Sequence, residues 1–174
     1  SYYLYFGGIW GGQLQKYRNN AYHEDNELPT PNEPALLPIV AKLTDDLLEF
    51  AEEPKEIQIL DTEGNLLLEA DNDRRFFEAS WMHKYNGKYY FSYSTGDTHF
   101  ICYAIGDTPY GPFTYGGRIL EPVVGWTSHH SICAIKDKYY LFCLASSFKS
   151  LFLVLSFKSL FLVLSFKSLF EFFS

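Results

Sequence analysis

Glu78 is the single acid in FFEASWMHKYNGKYYFSYSTG, residues 76–96. Phe76, Phe77 and Trp81 around it offer low-dielectric walls that would raise its pKa and keep it protonated, which is the state a general acid needs. The plainer reading of the same residue is a surface glutamate at a strand end. His129 and His130 form a second cluster, for which a satisfied structural histidine is the plainer reading. Trp10 in GGIWGG lies between glycines that let the backbone pass close to a ligand. Its flat indole suits stacking on a pyranose, with core packing the competing use. Trp81, Thr98 and Phe100 follow Glu78 on the same and the next strand and are candidate pocket walls. Asp97 and Asp107 fall in loops and read as turn formers. Cys102, Cys133 and Cys143 have no CxxC spacing, so zinc and redox readings are weak. Buried free thiols fit them, and a Cys133–Cys143 bridge across a hairpin is the alternative.

The elements that must position these residues read as strands. Tyr2 to Phe6 runs into the GGIWGG loop. Glu56 to Leu60 and Leu66 to Glu69 flank a Glu63-Gly64-Asn65 turn. Met82 to Tyr85 and Lys88 to Tyr93 flank Asn86-Gly87, the strongest short hairpin signal. Ile132 to Ile135 and Tyr139 to Cys143 flank Lys136-Asp137-Lys138. Asp107 to Phe113 is a Pro/Gly loop between strands. Residues 19–38 are polar and proline-rich and read as loop, and residues 43–53 as a short helix or turn. NGKYYFSY from Asn86 matches KDKYYLFC from Lys136, 50 residues later. Matched hairpins at that spacing suggest propeller blades. The same offset carries Glu78 to Ser128, beside His129. In a propeller the first strand of each blade lines the central channel, so Glu78 and the histidine pair are expected at one channel mouth. The fold class is therefore all-β.

Residues 146–174 differ from this body. SFKSLFLVL occurs twice from Ser147, and SFKSLFEFF follows. A nine-residue step puts a helix half a turn out of register and flips a strand's face, so the copies build no consistent amphipathic surface. Lys158 and Lys167 keep the uncharged runs too short to span a membrane. High β-propensity with little charge makes aggregation the expected property. The tail is expected to stand apart from the native fold of residues 1–145. The chain enters in mid-strand at Ser1 without a Met, so its true start is expected upstream and a missing targeting signal carries no weight. Localisation stays open.

The 174 residues suffice for one domain with a real core, and 47% hydrophobic and 19% aromatic content argues against disorder. A formal charge of −7 without a basic stripe argues against nucleic acid and anionic membrane surfaces. Neutral ligands such as sugars fit better.

Four collinear motifs carry a resemblance: YLYFGGIWGGQLQ, RRFFEASWMHKYNGKYYFSYSTGDTH, YAIGDTPYGPFTYGGRIL and PVVGWTSHHSI. Residues 1–145 resemble glycoside hydrolase family 43, of β-xylosidase and α-L-arabinofuranosidase type. The resemblance implies a partial five-bladed β-propeller and an inverting hydrolase of xylose- or arabinose-containing oligosaccharides. Two carboxyls would flank the scissile bond about 6.5–9.5 Å apart. It implies that Glu78 is the general acid, although Ala79-Ser80 follows where the family often has Gly-Pro. The general base and the pKa-tuning Asp would lie upstream of Ser1, so this chain alone is expected to be inactive. His129 aligns with a channel histidine often found near calcium, which makes it the candidate metal residue. A non-catalytic carbohydrate-binding propeller fragment, in which Trp10 and Trp81 matter and Glu78 does not, is the rival reading. A structural protein with a membrane-seeking tail is the second.

Overall fold

The computed structural model describes residues 1–10, 14–121, 129–136, 138–145 and 151–157. Its strands are β1 (Tyr2–Phe6), β2 (Tyr17–Arg18), β3 (Ala21–Tyr22), β4 (Ile39–Leu43), β5 (Lys55–Glu56), β6 (Ile59–Leu60), β7 (Phe76–Tyr85), β8 (Lys88–Thr95), β9 (Ile101–Gly106), β10 (Phe113–Leu120), β11 (His129–Ile135), β12 (Lys138–Ala145) and β13 (Leu151–Phe157). One 3-10 turn, Leu14–Lys16, precedes β2. Three sheets matter for the site. They run β1-β4-β5, β6-β10-β9-β8-β7 and β11-β12-β13, and β2 pairs with β3 in a small ribbon. All pairings are antiparallel except that of β10 with β6.

Strand alternation explains why the five-stranded sheet is covered on both sides. Successive side chains of a strand point to opposite faces. In β8, Phe91 and Tyr93 face the first core with Phe76, Cys102, Ala104 and Phe113, and with Ile39 and Val40 of β4. Phe91 touches Phe76, Tyr93, Phe113 and Tyr5 at ring distances of 5.6–6.1 Å. The opposite face packs on the third sheet through Ile101, Leu120, Ile132, Leu141 and Cys143, with Trp81 and Tyr139 alongside. Sheets stacked in this way are blades, and the fold is a partial β-propeller.

The hairpin repeat holds at residue level. β8 starts at Lys88 and β12 at Lys138, so the 50-residue offset is kept. Asn86 and Gly87 both have positive φ, 46° and 80°, as a tight primed turn requires. Ser128 and Asp137 lie outside the described residues.

Other expectations change. Glu56 to Leu60 and Leu66 to Glu69 do not form one hairpin. The first run is split between β5 and β6 in different sheets, and Leu60 meets Leu66 only as an isolated bridge. The Asp61 carboxylate accepts the Glu63 and Asn65 backbone N–H groups, so side-chain bonds, not a strand ladder, close that turn. Of the two readings of residues 43–53, a short helix or a turn, the turn holds: Thr44 and Asp46 close it. Ile39–Leu43 forms a strand that carries no hairpin signal of its own. In the tail, Leu151–Phe157 pairs with β12 from Tyr139↔Phe157 to Ala145↔Leu151. An open strand edge accepts any extended backbone. Residues 146–150 and 158–174 lie outside the described residues.

Candidate active site

β7 begins in the core and is then deflected. Its register with β8 runs Phe76↔Thr95, Glu78↔Ser94 and Trp81↔Ser92, with irregularities on both sides of Glu78. Ala79 takes a φ of 61°, a left-handed conformation that L-residues rarely adopt. A bulge of this kind re-aims the side chain beside it. Glu78 is left with 23% side-chain exposure. Its Oε1 is enclosed and has no hydrogen-bond partner among the described residues.

A side chain of the next blade lies close to that oxygen. His129 Nε2, at the start of β11, lies 3.3 Å from Glu78 Oε1. The contact is close enough for charge attraction but is not aligned as a hydrogen bond. His129 is 54% exposed, so the pair opens to solvent on one side. Two residues 51 positions apart thus meet where the first strands of adjacent blades approach, as the repeat offset anticipates.

The Trp10 loop reaches the same end of β7. Ile9 N–H donates to the Phe77 carbonyl at 3.1 Å, which ties the loop to the residue before Glu78. Trp10 itself has a φ of 69° and is 70% exposed. An indole held open in a strained backbone is not a core residue here. Gly11, Gly12 and Gln13 lie outside the described residues.

Comparison with known proteins matches this arrangement. No protein-family model matches the chain. A xylosidase/arabinosidase of Bacteroides ovatus is 62% identical over 153 residues, 86% of this chain and 47% of that protein. The solved structure of RS223-β-xylosidase superposes with a TM-score of 0.80 at 67% identity, over 83% of this chain and 45% of that one.

This chain belongs to glycoside hydrolase family 43.

A third family 43 relative, a β-xylosidase/α-arabinofuranosidase from a compost microbial metagenome, was solved with xylotriose in a calcium-free form. It has a TM-score of 0.82 and 53% identity, over 89% of this chain and 50% of that one. The chain spans about half the length of the relatives it matches. Its sheets are correspondingly part of a five-bladed propeller.

The remaining candidate residues of the family 43 chain are spread over two faces. Trp81 packs against the second core, and its indole Nε1 is enclosed without a hydrogen-bond partner among the described residues. Thr98 and Phe100 sit in the turn between β8 and β9. The Thr98 hydroxyl donates to the Asn72 carbonyl at 2.8 Å and lies 2.9 Å from Thr95 Oγ1. Phe100 lies under the Arg118 guanidinium, 3.3 Å from ring centroid to Cζ. The turn is at Glu78's end of the blade, where His99 packs edge-on against Phe77. Neither Thr98 nor Phe100 makes a bond to Glu78.

Phe76 and Phe77 belong to the first core. Asp107 pairs with Lys88 at the surface, and Asp97 is exposed in the β8–β9 turn. No second carboxylate among the described residues is bonded to Glu78. Nor is there, among these residues, a group of three His, Cys, Asp or Glu able to hold a metal. Calcium prefers six to eight oxygen ligands. One imidazole already turned to Glu78 is a poor donor set for it, so the residues present do not fit that ion by themselves.

The cysteines divide differently from the expectation. All three are free; Cys102 and Cys143 are buried, but Cys133 is exposed. Cys143 is the register partner of His130 and Cys133 that of Tyr140. They lie on opposite faces of the ladder, which rules out a bridge between them.

Two features had no reading in the sequence. Ser92 Oγ lies 2.7 Å from His130 Nε2, across the interface between blades. His83 stacks on Tyr90 at 5.2 Å and 13°, and burial pushes its imidazole down to about pKa 4. The alternation Tyr90, Ser92, Ser94 against Phe91, Tyr93 was the available signal. It places small hydroxyls on a face that must be either wet or bonded.

Proposed function

We propose that this chain is part of an inverting glycosidase that acts on xylose- or arabinose-containing oligosaccharides, and that Glu78 is its general acid. The observation that carries the reading is the bulge at Glu78–Ala79. It holds one half-buried carboxyl beside an open imidazole at the meeting of two blades, in a family whose relatives are named xylosidases and arabinosidases. In this reading Glu78 protonates the leaving glycosidic oxygen while a second carboxylate activates water on the other face of the sugar. That carboxylate and the acid that tunes Glu78 belong to the part of the relatives' length that this chain does not span. The chain alone therefore lacks an inverting pair.

Trp10 supplies a stacking surface beside the acid, and Trp81, Thr98 and Phe100 shape the walls around it. His129 lines the channel and orients the acid. Calcium enters no step. Residues 1–145 form the propeller portion; beyond them, Leu151–Phe157 adds an edge strand to β12.

The test is Glu78→Gln in the full-length protein that contains this chain. Proton donation matters most for poor leaving groups. Hydrolysis of a xylo-oligosaccharide should fall about 10²- to 10⁴-fold, and that of an aryl xyloside with an acidic phenol much less. Unchanged turnover of the oligosaccharide would sink the reading.

A further inference from the structure

Behind Glu78 and His129, on the face shared by two blades, lies the hydrogen bond that this mechanism leaves unused. Ser92 is fully enclosed in β8, opposite Trp81 and two residues before Ser94, the register partner of Glu78. His130 lies beside His129 at the start of β11, and its ring reaches inward to Ser92 at 2.7 Å. Burial, with smaller contributions from His129 and His83, pushes His130 down to about pKa 3. The imidazole is therefore neutral at ordinary pH, and the bond does not depend on a charge.

Among the described residues this is the side-chain hydrogen bond joining β11 to the β7–β8 pair. Apart from the Glu78–His129 contact and the His83 ring against Tyr139, the interface is largely apolar packing of Ile132, Leu141 and Cys143 on Ile101, Leu120 and Trp81. Apolar contact is non-directional, so it holds the blades together without setting the angle at which β11 enters. A short bond between the enclosed Ser92 hydroxyl and the half-buried His130 ring does set it. Consecutive strand residues face opposite ways, so holding His130 against Ser92 turns His129 to the other face of β11, and there its Nε2 meets Glu78 Oε1 at 3.3 Å.

We propose that Ser92 and His130 are positioning residues for the general acid, their bond fixing the angle at which β11 presents His129 to Glu78. This rests on Glu78 as the acid for its catalytic meaning, but the positioning itself can be read without turnover. The measurement is the ¹⁵N shift of the His129 ring in labelled chain at one fixed pH. Glu78→Gln should move that shift in the parent sequence and in a Ser92→Thr background, and the effect should be lost in Ser92→Ala. An undiminished effect in Ser92→Ala overturns the proposal. Should that variant lose its dispersed spectrum, His130→Leu removes the same bond from the other side and is read by the same criterion.

In the full-length protein, Ser92→Ala should lower kcat roughly ten- to a hundredfold, as misplacement by about 1 Å can, with KM near that of the parent and recovery in Ser92→Thr. An unchanged kcat also counts against the proposal. If Glu78→Gln leaves hydrolysis intact, the acid assignment fails, and the ring shift still decides whether Ser92 orients His129.

Discussion

Phe91 and Ser92 are neighbours in β8, yet they belong to two different environments. Phe91 faces a core of aromatic and aliphatic side chains shared with β1 and β4. Ser92 faces the third sheet, where His83, His130, Trp81 and Ser94 place enclosed polar atoms among apolar neighbours. The first face binds through area removed from water. The second gives up some of that stabilisation, because enclosed polar groups must find partners or weaken the fold. Glu78 sits where β7 passes from one regime to the other, and the bulge at Ala79 is the joint between them. The comparison teaches that stability and site geometry are carried by alternate residues of the same strand.

The comparison breaks most readily at Phe91. Phe91→Ala empties a fully buried ring site and should lower unfolding free energy by about 3–5 kcal/mol, a large share of what a domain of this size possesses. Chemical denaturation reads it directly. A loss under about 1 kcal/mol would mean the first face is not the main store of stability.

A middle-sized effect belongs to the polar face and depends on pH. Burial holds the His83 imidazole near pKa 4, against 6.5 when exposed. Above about pH 6.5 both folded and unfolded chains carry it neutral, and stability is complete. As pH falls from there toward 4, the unfolded chain takes the proton first, so stability drops, by roughly 3 kcal/mol at most. His83→Phe should make the stability curve less steep across that window, with His130 still contributing its own fall. Parallel curves for parent and variant would refute the assignment.

The smallest effect sharpens the joint itself. Ala79→Gly removes the Cβ penalty at φ 61° and should stabilise the chain by about 0.5–1 kcal/mol. A destabilised variant would show that the Ala79 methyl contributes packing that outweighs its strain.

Much of this was legible before any coordinates. The Asn86-Gly87 hairpin and its copy at Lys136–Lys138 announce themselves through turn chemistry and alternation, which act within a few residues. The 50-residue offset then places Glu78 and His129 at equivalent strand ends. Ile39–Leu43 was not legible, because a five-residue apolar run without a flanking turn signal becomes a strand only when β1 and β5 pair with it. The false hairpin at residues 56–69 failed for the reverse reason. Its turn is real, but Glu56 and Ile59 are claimed by different sheets. Cys133 and Cys143 look equivalent in sequence but are not, because strand parity relative to the neighbouring blade decides which is enclosed.

The sequence by itself determined the all-β class, the strand pair that carries Glu78 and the placing of the His129-His130 pair near it, since local alternation and a repeat are one-dimensional signals. Only the tertiary structure decided that β7 bulges at Ala79, that Trp10 stands open to solvent and that Ser92 is bonded to His130 rather than His129. Each depends on how one blade's face meets the next, and that fit is set by packing between residues tens of positions apart.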